Sequence, residues 1–314
     1  MTGTATPKGT PAVGVFAYVT DRRRPVVHVI DTDTNAEVIA VDLPSIAGDI
    51  AVSSDGRRAF ALSLQTSQIF PIDTEFNARL ATITLDQVGS SIATGPAGNV
   101  AYVTLRGTDE LAVINTDAGN VSARIPVGNS PVDVAVTHDG AMAYVANTAS
   151  SVSAVNLATR SVVATIPIGD RPAAIAVAPD DSRVYALALS SRMFVIFAAT
   201  NSVVDEISIN GSLSALAVTP SGAFVYVANP PGKVSVVDTA AGSVSGTIGV
   251  GSFPAGVGFT PDGALAYVGS GGMTPDTGTI SVINAQTQAV TDTISFPAGT
   301  PVSPASVAVA NVRP

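Results

Sequence analysis

Residues Pro131 to Asn147 read PVDVAVTHDGAMAYVAN. A short apolar run, Val134 to Val136, is followed by the turn pair Asp139-Gly140 and a second run ending in Tyr144-Val145. Two brief β-favouring runs around a D-G pair predict a hairpin. The unit recurs as PAAIAVAPDDSRVYALA from Pro172 and PAGVGFTPDGALAYVGS from Pro254, with looser copies elsewhere.

An aromatic marker counts the copies: Tyr18, Phe60, Tyr102, Tyr144, Tyr185, Tyr226 and Tyr267, which are 42, 42, 42, 41, 41 and 41 residues apart. Four residues before each marker stands Gly14, Gly56, Gly98, Gly140, Gly222 or Gly263, with Asp181 the one departure. A glycine held at one place in a hairpin marks backbone with positive φ. A third run follows each marker, such as LAVINT from Leu111 and VSVVDT from Val234, and a fourth comes after it, such as VSARIPV and VSGTIGV. Each unit therefore holds four strands, A to D. No stretch has helical periodicity, so the chain reads as all-β.

Strands such as Val134–Val136 and Val234–Val237 are apolar on both faces, as in sheets covered on each side. Seven four-stranded antiparallel sheets of this length, stacked around an axis, make a seven-bladed β-propeller. The first unit starts at the Gly14 turn and lacks an A strand, whereas PASVAV at residues 304–309 repeats the A-strand pattern of PVDVAV. The C-terminal strand is thus predicted to pair with the N-terminal blade and close the ring, removing free sheet edges. Residues 1–12, rich in Thr, Gly and Pro, are expected to be disordered, and 13–314 to form one propeller domain.

Composition excludes several functions. The chain has 314 residues, 12% of them charged, a net charge of −9 and a pI near 4.5. Only 15 Lys and Arg are spread along it, which argues against nucleic acid and anionic membrane surfaces as partners. No apolar run is long enough to span a bilayer, and MTGTATPKGTP lacks the apolar core of a signal peptide. The absence of cysteine rules out disulfides, thiol catalysis and thiolate metal sites. A sparsely charged, cysteine-free chain suits an extracytoplasmic or secreted protein whose signal has been removed, with a cytoplasmic location as the second reading. A monomer is expected.

YVAN at Tyr144–Asn147 and Tyr226–Asn229, YVT at Tyr18–Thr20 and Tyr102–Thr104, V-I-D-T and V-G-x-x-P resemble the YVTN-repeat β-propeller family, over about residues 13–310. That family includes cell-surface and surface-layer proteins. The resemblance implies the fold and brings no general catalytic set.

Candidate site residues follow from topology. D–A and B–C loops emerge on one face, the top. The residue entering each A strand should approach the axis there: Asp49, Ser91, Asp133, Ala174, Ala215, Gly256 and Ser306. Asp49 and Asp133, with Asn147 and Asn229 at B-strand ends, form an oxygen set suited to calcium. The plainer expectation is a polar, water-filled channel and no cofactor. The first B–C loop carries Arg22, Arg23 and Arg24, and the last, GSGGMTPDTGT (Gly269–Thr279), is longer than its counterparts and includes Met273. These neighbours across the closure, with Arg106 and Arg171 further round, make a candidate recognition lip. Asp31-Thr-Asp33-Thr-Asn35 is read as a C–D turn, because Ala36 replaces the glycine of a calcium loop. His28 and His138 are expected to be surface or strand-face residues. Two functions follow: a non-enzymatic scaffold binding a protein, glycan or small ligand on the top face, or a lactonase-, lyase- or cyclase-type enzyme at the channel mouth.

Overall fold

A computed structural model describes residues 12–272, 278–297 and 299–312. Seven sheets are present and the described residues contain no helix. In the fourth blade, Pro131–Val136, Met142–Asn147, Ser151–Asn156 and Ser161–Pro167 pair in order as antiparallel strands A to D. Blades 3, 5, 6 and 7 repeat this arrangement.

The first blade is closed by both chain ends. Pro304–Val312 pairs antiparallel with Gly14–Asp21, Tyr18 facing Ala308 and Gly14 facing Val312. The closing strand therefore runs three residues beyond the predicted 309. Residues 1–11 lie outside the described residues, as does Met273. Ala12 is placed: its N–H donates to Glu75 O at 2.6 Å, and it packs against the core shared by the first two blades.

Blade 2 departs from the pattern for a local reason. Its outer strand is split into Ala78–Arg79 and Ile83–Thr84, both paired with Gln68–Asp73. Pro71 lies in that third strand, and its carbonyl accepts Leu80 N–H at 2.8 Å. The proline nitrogen, on the same side, has no proton to give, so the ladder to the outer strand fails there.

The core is divided into seven sectors, each between adjacent blades. In one, Tyr18, Val27 and Val29 of the first blade meet Ile50, Phe70 and Ile72 of the second. Strands B and C are buried on both faces and the D strands line the exposed outer rim. The marker tyrosines also stitch blades together. Tyr18 Oη donates to Asn77 Oδ1 (2.8 Å), Tyr144 Oη to Asn201 Oδ1 (3.1 Å) and Tyr267 Oη to Asn35 Oδ1 (2.7 Å), each in the next blade's C–D turn. The A–B turn glycines from Gly56 to Gly263 hold φ near +70°, and Asp181 takes the same conformation at +59°.

The Asp31–Asn35 segment is a turn. Asp31 Oδ1 accepts the N–H groups of Asp33 and Thr34 at 2.8 and 3.1 Å.

Candidate functional site

A β-bulge sets the geometry of the axial mouth. The A–B register slips between Ala47 and Asp49, Pro131 and Asp133, Pro172 and Ala174, and Pro254 and Gly256. The extra residue turns the strand entrance and re-aims its side chains. Asp49, Asp133, Ala174 and Gly256 sit at these slips, and with Ser91, Ala215 and Ser306 they line one cavity of about 310 Å³, as the topology predicted. Arg22 lies on its wall. Gly256 is glycine because a Cβ would stand 2.1 Å from Ala305 O of the closing strand.

Both carboxylates act as clasps between blades. Asp49 Oδ1 accepts Ser306 Oγ–H from the preceding blade (2.7 Å) and its own chain's Ile50 N–H (2.9 Å). Its Oδ2 accepts Ile92 N–H from the following blade at 2.9 Å. Asp133 repeats the arrangement with Ser91 Oγ (2.7 Å), Val134 N (2.8 Å) and Ile175 N (2.8 Å). The polar arc thus spans blades 1 to 5, and Ala174, Ala215 and Gly256 complete the circle with small side chains. Although Asp133 borders the cavity, burial first, and then the charge of Asp49, push its carboxyl up to about 7 despite the three donors.

The other candidates are not all drawn to this mouth. Asn147 is buried, with Nδ2 3.0 Å from Ser153 Oγ as placed; the reversed amide also donates to Gly128 O at 3.1 Å. Asn229 Nδ2 donates to Asn210 O (2.6 Å) and Ser235 Oγ (3.1 Å). Both asparagines hold the incoming D–A loop and lie outside the cavity lining, so they do not join Asp49 and Asp133 as one oxygen set. Among the described residues no group of three acidic or histidine side chains is arranged to hold a metal. Arg23, Arg106 and Arg171 are exposed and off the cavity wall. Arg24 lines a separate cleft at the seam with Glu37 and Phe296. Both irregular loops reach Ser303, just before the closing strand: Arg22 N–H donates to Ser303 O (3.0 Å), and a Cβ on Gly271 would touch Ser303 Oγ at 2.6 Å.

His28 is the main departure from expectation. It is fully buried, with Nε2 3.3 Å from Asp21 Oδ2, Nδ1 2.7 Å from Glu37 Oε1 and its ring 4.6 Å from Phe296. Burial opposes the charged imidazole, but the bonds and charges of Asp21 and Glu37 outweigh it and raise its pKa. Burial likewise works against an ionised Asp21, and the bonds from His28, Arg23 N–H and Ser303 N–H hold its carboxyl below the usual range. Asp21 occupies the place of Asn147 and Asn229, three residues after the marker, and His28 the place of Ser153 and Ser235. The signal was therefore a coupled exchange of a polar pair for an ionic one. His138, by contrast, is exposed at the base, 3.0 Å from Asp181 Oδ1.

No family model matches the chain, and a search of curated proteins finds no match. Solved structures do resemble it. Hydrazine synthase of Kuenenia stuttgartiensis aligns with a TM-score of 0.70 at 19% identity, over 87% of this chain and 92% of the other. A functionally unknown protein from Desulfotomaculum acetoxidans aligns with a TM-score of 0.77 at 14% identity, over 93% and 99%. Among the described residues no helix is long and apolar enough to cross a membrane. At these identities the likeness is one of fold: the chain is a seven-bladed β-propeller.

Proposed function

We propose that this protein is a non-enzymatic recognition scaffold of the YVTN-repeat type, exported and monomeric, which presents the top face around its axial mouth to a protein, glycan or small ligand. One observation carries the reading: the two carboxylates at the mouth each already accept three hydrogen bonds from the protein itself. A carboxylate has about four acceptor positions, so little capacity is left for a metal or for taking a substrate proton. The free polar chemistry of that face includes Arg22, beside the cavity, and the exposed Arg23, with Arg106 and Arg171 further round. The repeat motif fits the same view, because its tyrosines and asparagines are spent on joining blades and loops.

The second reading is a lactonase-, lyase- or cyclase-type enzyme acting at the mouth. It draws on the Asp133 carboxyl near 7, where a general base works well. Screening the protein on glycan and peptide arrays beside a variant with Arg22→Ser, Arg23→Ser and Arg24→Ser tests the first reading. A ligand bound by the parent should lose at least about tenfold in affinity in the variant, equivalent to ~1.4 kcal/mol. Equal binding by both proteins rules out this face as the recognition surface.

A further inference from the structure

The base of the ring carries a second irregularity, independent of the top face. Two residues before the marker, five blades have an apolar side chain: Phe16, Val100, Met142, Phe224 and Leu265. Blades 2 and 5 have Arg58 and Arg183 instead. Each arginine reaches the C–D turn of the following blade by the same route. Arg58 Nη1 donates to Thr116 O at 3.4 Å, and Arg183 Nη1 to Thr239 O at 3.2 Å.

The next residue differs. Asp117 follows Thr116, and its Oδ1 stands 2.8 Å from Arg58 Nη1. Ala240 follows Thr239, so the equivalent carboxylate is absent and Arg183 makes no ion pair among the described residues. Asp180 lies in the same notch, but its Oδ1 accepts Ser182 N–H (3.0 Å) and Oγ–H (2.8 Å).

A second departure meets the first. The last residue of strand C is Asp31, Asp73, Asn115, Asn156, Asp238 or Asn284 in six blades, and its Oδ1 caps the following turn. In blade 5 it is Phe197, which gives up the cap and is left 38% exposed in the notch. The notch holds about 570 Å³, against 180 Å³ for the one that Asp117 occupies. Pro179, Tyr185 and Pro220 complete its wall. A guanidinium fork selects a planar carboxylate, and an exposed ring beside prolines favours a flat apolar body. The volume falls within the ~300–1,000 Å³ of small-ligand sites.

We propose that the notch between the fifth and sixth blades binds a small aryl carboxylate, its carboxylate on Arg183 where Asp117 sits on Arg58, and its ring against Phe197. Calorimetric titration with 3-phenylpropionate, and with 3-phenylpropanamide as the uncharged control, tests it. The acid should bind with a Kd of about 1 mM or below, and the amide at least tenfold more weakly. Ala240→Asp rebuilds the Arg58–Asp117 pair inside the notch, so it should weaken acid binding at least tenfold while leaving the melting temperature at or above the parent's. Arg183→Gln and Phe197→Asn should also weaken binding, and Arg58→Gln should leave it unchanged. Four results overturn the proposal: no detectable binding of the acid at about 10 mM, equal binding of acid and amide, undiminished binding to a folded Ala240→Asp variant, or equal loss in Arg58→Gln.

Discussion

Asp133 gives the mouth a measurable signature in the pH dependence of folding. Its carboxyl titrates near 7 in the native state and near 3.8 when unperturbed, burial being the main cause and Asp49 the second. Between those values the native chain holds a proton that the unfolded chain has lost. The native state is thus favoured in acid, and its advantage is lost as pH rises towards 7. At ~1.36 kcal/mol per pH unit the full effect is about 4 kcal/mol. The cavity beside the carboxyl admits water, so a loss of about 2–4 kcal/mol between pH 4 and 7.5 is expected. A carboxamide in its place cannot titrate, so Asp133→Asn should flatten the curve by that amount. Urea unfolding at half-unit pH steps, for parent and variant, reads the difference directly. His28 also loses stabilising charge as pH rises, but it is common to both proteins and cancels in the comparison. Asp21 and Glu37, held low, act with the opposite sign and mainly below that window. Parallel curves for parent and Asp133→Asn would refute the reasoning.

Two further predictions concern the seam. Removing residues 304–314 exposes the first blade and takes away the buried Val307 and Val312, each worth ~1.5–3 kcal/mol, together with a full strand ladder, so cooperative melting should be lost and aggregation should rise; an unchanged melt counts against closure. His28→Ala leaves Asp21 buried without its imidazole and should cost about 3–5 kcal/mol. The carboxylates contribute above their ordinary range near 4 and the raised histidine contributes fully below its ordinary value, so the deficit should be largest near pH 5–6 and shrink as the pH is raised past the histidine's raised pKa in thermal melts.

The fold was readable because each blade repeats the same demands. The marker ring must sit between sheets, the A–B turn needs positive φ, and the C strand ends in a turn-capping Asx residue. Those demands fall on fixed residues at a fixed interval, so counting Tyr18 to Tyr267 counts blades. The missing first strand and the surplus last one then allow a single closure. The mouth was readable for the same reason: the A-strand entrance recurs in register, and all seven residues named for it line the cavity. The partners of each side chain were not readable. Asp49 and Asp133 look like free carboxylates in sequence, yet two of the three donors to each come from residues 43, 257 or 42 positions away, on neighbouring blades. His28 looks solitary because Asp21 and Glu37 reach it across the strand ladder rather than along the chain.

Repetition also supplies internal controls that a single-copy fold lacks. A residue that differs from its six counterparts faces nearly the same backbone and neighbours, so the physical reason for the common choice is known. Asp21–His28 stands where blades 4 and 6 have Asn–Ser pairs that hold the incoming loop, and Asp21 still holds it through Ser303 N–H at 2.9 Å. That exchange preserves the common role, which fits a structural part in closing the ring. Phe197 does the reverse: it discards a capping hydrogen bond, worth ~1 kcal/mol, and leaves its apolar ring partly in water. Ala240 offers Arg183 no carboxylate where Asp117 satisfies Arg58, the one other arginine at this place. Packing explains neither change, because both enlarge a notch that the counterpart blade fills. Two losses converging on one arginine are accounted for together if a ligand supplies what the chain withholds.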